Sequence, residues 1–220
     1  MTPDPRLLER IAASLRADLR PVRPIPPAWA LSAALFAVFA LLSVSGGGLL
    51  GFVGLRSLSP DAIAAIFPPL AALGLLAAGA CSSAMVPGSK RPYSPEALLA
   101  ASCVLMAGVF AFLFHDYRTD SFIHQGTVCL AVGLLSATPA AIVAWLVLRR
   151  GFAVDGKAAG IAAGTFAGLT GVTVLELHCP NLRMPHVVVW HIAVLPVAAA
   201  AVLAARYFFG SKRSDAELMQ

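Results

Sequence analysis

The sequence predicts an all-α integral membrane protein with six transmembrane helices and both termini in the cytoplasm. Three observations carry that prediction. Hydrophobic residues make up 59% of the 220 residues and charged ones only 12%, and the mean hydropathy is +0.81; soluble domains carry about twice that charged fraction. Six apolar runs each reach the ~20 residues that a helix needs to span a bilayer. Thirteen of the sixteen Lys and Arg residues fall on one side of the alternating spans that these runs define.

Residues 1–27 read as a cytoplasmic tail. Leu7, Leu8, Ile11, Leu15 and Leu19 recur at three- and four-residue spacing, which predicts an amphipathic helix over 4–20. Arg6, Arg10, Arg16 and Arg20 lie around it, and Pro21, Pro24, Pro26 and Pro27 end it and stiffen the approach to the membrane. The polar stretch is too long for a secretory signal peptide, and no small-residue cleavage site follows a short apolar core. Two uses stay open for this helix: lying on anionic lipid, or docking a cytoplasmic partner. The spans fall at about 29–49, 62–86, 96–114, 125–148, 158–177 and 187–208, within one membrane domain over 28–208. Short connectors place consecutive spans antiparallel and side by side. Residues 209–220 form a second, short cytoplasmic tail.

Orientation follows from the basic residues. The N-terminal tail carries Arg6, Arg10, Arg16, Arg20 and Arg23. The second connector carries Lys90 and Arg91, the fourth Arg149, Arg150 and Lys157, and the C-terminal end Arg206, Lys212 and Arg213. Only Arg56, Arg118 and Arg183 remain, one for each connector on the other side. Basic residues concentrate on the cytoplasmic side of membrane proteins. The formal charge of +5 is therefore a topology signal, not a sign of direct nucleic-acid binding.

Gly160, Gly164 and Gly168 repeat every four residues in the fifth span, a spacing that admits close helix approach. Packing within the bundle is preferred over homodimerisation as its use, although a higher oligomer stays open. Pro68-Pro69 and Pro139 are expected to kink the second and fourth spans. Gly46-Gly47-Gly48 reads as a flexible exit from the first. Span interiors lack runs of charged residues, which argues against an ion-coupled transporter. Walker, Rossmann and HExxH patterns are absent.

Reactive side chains concentrate in one stretch. The sixteen residues from Glu176 to His191 hold His178, His186 and His191, three of the five histidines, together with Cys179 and Glu176. Cys129 lies about one helical turn below the outer end of the fourth span. Cys81 and Cys103 lie mid-span or deeper, where a free cysteine behaves as a small hydrophobe. At the outer membrane surface, which in a bacterium faces the oxidising periplasm, Cys129 and Cys179 have two uses, a disulfide or a thiol pair responsive to oxidants and soft metals. Thiolate and imidazole suit zinc or copper, so Cys129, Cys179, His178, His186, His191 and Glu176 form the candidate ligand set. The case rests on clustering, since adjacent His178 and Cys179 cannot share one helix face. His186 and His191, five apart, share one only roughly.

Three segments give the chain a family likeness. The tail reads Leu15-Arg16-Ala17-Asp18-Leu19-Arg20-Pro21-Val22-Arg23; the fourth span runs from Cys129 through Pro139 to Leu148-Arg149-Arg150-Gly151; the last outer connector has His178-Cys179-Pro180 and then Val189-Trp190. The chain resembles the NrsF family of bacterial inner-membrane anti-sigma factors over nearly its whole length. The resemblance implies a protein that holds an extracytoplasmic-function sigma factor at the membrane and releases it under oxidative or heavy-metal stress. It also implies that Cys129 and Cys179 match the family's paired signalling cysteines. His191 departs from the pattern, standing where an aromatic residue is expected after the tryptophan, and adds a candidate ligand.

Joined to the residue reading, this gives a partner-binding surface: apolar anchors Leu7, Ile11, Leu15 and Leu19, with Arg16, Arg20, Arg23, Arg149 and Arg150 as its basic component. No catalytic residues are assigned. A membrane thiol oxidoreductase is the alternative, and it lacks the Cys-x-x-Cys pair such enzymes use. A metal-binding membrane protein or a small permease is a further reading.

Overall fold

The computed structural model describes the backbone of residues 26–85, 93–149 and 155–217, with isolated helical positions at 6, 9, 10 and 12–14. Side chains of the C-terminal helix are described as far as Ala205. Among the described residues no strand occurs, and six helices are long and apolar enough to cross a membrane. In chain order the elements are α1 (Ala28–Leu50), α2 (Val53–Ser57), α3 (Pro60–Met85), α4 (Pro95–Leu113), α5 (Phe122–Leu148) and α6 (Gly156–His178). They continue with α7 (Met184–His186), a π-helical turn (Val187–His191) and α8 (Ile192–Glu217). The expected spans agree with these helices to within a few residues. The short α2, between the first two spans, was not expected.

Consecutive spans run antiparallel, alternate ones parallel, and side-chain contacts show which ends meet. Ser32 near the start of α1 donates to Ser82 near the end of α3, at 3.0 Å. Lys157 at the start of α6 lies 3.5 Å from Glu96 at the start of α4. At the opposite end of the bundle, Gly46 and Gly47 of α1 pack against Val174 and Leu177 of α6. This last contact corrects one expectation. Gly46-Gly47-Gly48 lies inside α1 and is no flexible exit; Gly46 and Gly47 let the helix close on its neighbour.

The middle of the bundle is α6. It is the least apolar of the six spans, yet every residue from Ala158 to Leu177 is buried. Lipid is as apolar as leucine, so burial in a membrane protein does not sort by hydrophobicity. Close packing decides instead, and it favours small residues. A Cβ on Gly164 would come within 2.3 Å of the Ala199 Cα, and one on Gly168 within 2.9 Å of the Leu195 Cα. The glycine repeat therefore seats α8 inside the bundle. Thr165, Thr170 and Thr173 return their hydroxyls to carbonyls four residues back, at 2.8, 3.0 and 2.8 Å, so no polar group of these side chains is left bare in the centre. Large apolar residues such as Trp29, Leu49, Val104, Phe112 and Leu135 face outward, as a lipid-facing surface requires. Pro68, Pro69 and Pro139 lie inside α3 and α5, and Pro196 lies inside α8.

Candidate functional site

The site begins with a local departure from α-helical winding. In an α-helix, residues five apart are separated by about 1.4 turns and point well away from each other. Val187–His191 forms a π-helical turn instead, whose i→i+5 bonding takes up an extra residue, a feature common at functional sites. His186 and His191 are thereby brought together, ring centroids 5.3 Å apart and edge to face. Both are buried.

Two cysteines join them. Cys129 comes from the second turn of α5, and Cys179 caps α6, its backbone N–H bonded to the Leu175 carbonyl at 2.7 Å. The Cys129 and Cys179 sulfurs are 3.6 Å apart. The Cys179 sulfur lies 3.7 Å from His186 Nε2. One donor atom from each of Cys129, Cys179, His186 and His191 falls within 4.8 Å of the other three. The Cys179 thiol is pushed above its ordinary range, first by its hydrogen bond to Cys129 and then by burial, while His186 and His191 oppose the shift.

The remaining two candidate ligands lie elsewhere. Glu176 is buried and meets His191 Nδ1 at 2.6 Å through Oε1. It stands behind the imidazole, outside the four-donor group. His178 turns the other way, with Nδ1 3.1 Å from the Gly51 carbonyl. One turn of α6 separates Glu176 from Cys179, enough to place one beside the cluster and the other in it. Cys81 is fully buried in the core and Cys103 packs partly against it, as expected for structural cysteines.

Close backbone approach encloses the group. A Cβ on Gly54 of α2 would lie 2.7 Å from the Cys179 carbonyl and 2.8 Å from that of Glu176. A Cβ on Gly126 of α5 would collide with the Trp190 indole, and that indole also packs on Phe122 with centroids 5.5 Å apart. Sequence reading missed α2, the π-helical turn and the Glu176–His191 contact. The five-residue spacing of His186 and His191 was the available signal for the turn.

The connectors at this end are tied together. The Met184 N–H donates to the Asp116 carbonyl at 2.8 Å, Asn181 donates to Gln125 at 2.8 Å, and Arg183 donates to the Asp120 carbonyl at 3.0 Å. Asp116 accepts from the Arg118 side chain at 2.9 Å and from its backbone N–H at 3.1 Å. Those bonds hold its carboxyl down at about 2. Because the folded value is lowered, the contact is in place above the ordinary 3.8 and is lost as pH falls through about 2. A carboxyl-carbon NMR titration is expected to place the Asp116 midpoint near that value, and Arg118→Gln should return it toward 3.8. A midpoint of 3.8 in the unaltered chain would show that the contact does not persist in solution.

At the opposite end, the Arg149 guanidinium lies over the Trp145 ring, 4.8 Å from its centroid. Of the other expected partner-binding residues, Leu7, Ile11, Leu15, Leu19, Arg16, Arg20, Arg23 and Arg150 lie outside the described residues, as do Lys90 and Arg91. Arg6, Glu9, Arg10 and residues 12–14 of the expected tail helix are helical and exposed.

Fold and site together define a multi-pass membrane protein, with six membrane-length helices among its described residues and a thiol–imidazole cluster built into one end of the bundle. The family model described as negative regulator of sigma F (NrsF) matches residues 15–209, and the chain belongs to that family. Membership implies a negative regulator of a sigma factor, with a sigma factor as its partner. Neither the curated proteins nor the solved structures gave a match.

Proposed function

We propose that this chain is a non-enzymatic anti-sigma factor of the bacterial cytoplasmic membrane, with Cys129 and Cys179 as its signal input. It holds an extracytoplasmic-function sigma factor against the inner face and releases it when these thiols react on the periplasmic side. The observation that carries the reading is the 3.6 Å approach of the two sulfurs in a chain of the NrsF family. The positive-inside distribution of Lys and Arg supports the orientation, with both termini and Arg149 on the sigma-factor side.

The thiols tie α5 to the end of α6, and α6 is the helix that most of the bundle packs around. A soft metal binding both sulfurs would alter how these helices are joined. So would a peroxide, taking two electrons and two protons from the thiols to leave a disulfide and water. A difference of about 3 kcal/mol between two packings changes partner affinity about 150-fold. The tail, with Leu7, Ile11, Leu15 and Leu19 as anchors, and the inner connectors supply the contact whose affinity changes.

The test is co-purification in detergent of the full chain with its host's sigma factors, with and without residues 1–27, before and after cadmium or peroxide. The sigma factor is expected with the intact chain and lost without the tail. Release should be lost in the Cys129→Ser/Cys179→Ser variant, which keeps its partner bound under both treatments. Normal release from the double variant would overturn the cysteine input. Undiminished recovery without the tail would overturn the docking segment.

A further inference from the structure

We infer that Cys129, Cys179, His186 and His191 hold one zinc-class divalent cation in a tetrahedral two-sulfur, two-nitrogen site, with Glu176 positioning His191 from behind. The inference deepens the cysteine-input reading and rests on it for the site's role in signalling, though not for the binding itself.

Geometry supports a single ion. A tetrahedral centre with metal–sulfur bonds of about 2.3 Å and metal–nitrogen bonds of about 2.0 Å has a sulfur–sulfur edge of about 3.8 Å and sulfur–nitrogen edges of about 3.5 Å. The observed separations are 3.6 Å between the sulfurs and 3.7 Å between Cys179 Sγ and His186 Nε2. All four donors lie within 4.8 Å of one another, so one ion reaches all of them with only small side-chain adjustments.

The histidines supply an independent argument. His191 is 1% exposed, its Nδ1 is engaged by Glu176, and its buried Nε2 has no hydrogen-bond partner. A buried polar nitrogen without a partner is costly, and a metal bond at Nε2 removes that cost. Carboxylate behind imidazole is also the arrangement that fixes a ligating histidine's tautomer and orientation. Glu176 is thus a positioning residue, not a ligand.

Charge and softness select the ion. Binding releases one proton from each thiol, and the two thiolates cancel the ion's double positive charge. The first coordination sphere is then neutral, which suits a weakly hydrated site. Two sulfurs and two imidazoles select zinc and its softer relative cadmium over magnesium or calcium, which take oxygen ligands. The ligands come from α5, the α6–α7 connector, α7 and the π-helical turn, so the ion would fasten these elements to one another.

The experiment is titration of the reduced full chain in detergent with cobalt(II), a spectroscopic stand-in for zinc. Expected are one ion per chain, intense visible bands of tetrahedral cobalt, a sulfur-to-metal charge-transfer band, and displacement by zinc. Either single cysteine-to-serine change should reduce the charge-transfer band by about half. His186→Ala and His191→Ala should each keep that band, shift the visible bands as water takes the vacated position, and weaken binding. Glu176→Gln should keep the spectrum and weaken binding about 10- to 100-fold. No cobalt uptake by the unaltered chain would overturn the proposal, as would a visible spectrum and affinity left unchanged in the His186→Ala/His191→Ala variant. Sigma-factor release is scored separately. Cysteine-dependent release without cobalt binding removes the ion and leaves the thiol input; cobalt binding with cysteine-independent release keeps the ion and removes the input.

Discussion

Gly164→Val is expected to abolish the folded bundle, while Gly108→Val leaves it intact. The two glycines sit in helices of the same bundle with opposite surroundings. A Cβ at Gly164 meets the Ala199 Cα at 2.3 Å, the Ala198 carbonyl oxygen at 3.0 Å and the Ala199 nitrogen at 3.0 Å, whereas one at Gly108 meets nothing within 4 Å. Carbon atoms pack best at about 3.5–4.0 Å, so α6 and α8 would have to part by more than about 1 Å. Side chains cannot swing aside here, because the atoms in the way are backbone. Overpacking a core typically costs about 1–3 kcal/mol where side chains can yield, and this site should exceed that range. Separation also loosens Gly168 against Leu195 and Gly171 against the Val194 side chain. Membrane helices have no hydrophobic drive to reassociate in lipid and depend on such packing. Size-exclusion profiles and thermal unfolding in detergent would measure the contrast. Equal stability of the two variants would show that the α6–α8 contact does not organise the bundle.

Length and apolar composition made the six spans legible, because a bilayer imposes a thickness and excludes charge. The inner arrangement was less legible. Placing α6 at the centre requires knowing that its glycines and threonines face neighbours in all directions, and a repeat such as Gly160, Gly164 and Gly168 announces only one face. The candidate site was visible as a cluster but not as a geometry. Cys129 and Cys179 lie fifty residues apart in sequence, and nothing local brings them together; antiparallel packing of α5 and α6 does. His186 and His191 looked poorly matched under α-helical spacing, and the π-helical turn resolved that mismatch. Glu176 and His178 read as equivalent neighbours of Cys179, yet two residues of helical rotation send one toward His191 and the other toward Gly51. That choice is made by tertiary packing, since the residue types permit either.

The Glu176–His191 contact gives the second large effect, read by a double-mutant cycle. His191→Leu is expected to destabilise the chain by about 3–5 kcal/mol, the range for removing one partner of a buried ion pair. It leaves a carboxylate that is 2% exposed without its 2.6 Å partner. Glu176→Leu should cost less, because a neutral imidazole is easier to strand than a carboxylate. The double leucine variant should be more stable than the sum of the two losses predicts, since apolar side chains of similar volume strand no charge. Interhelical hydrogen bonds in membrane proteins average only about 0.6 kcal/mol, because unfolded helices in lipid find other partners. A carboxylate–imidazole pair with no access to water should exceed that average, with a coupling of at least about 2 kcal/mol. The measurement is unfolding in mixed micelles without added metal, so that loss of ligation does not enter. A coupling near 0.6 kcal/mol would show an ordinary neutral hydrogen bond. The buried pair would then be too weak to hold the imidazole in place, and the positioning role assigned to Glu176 would have to come from packing alone.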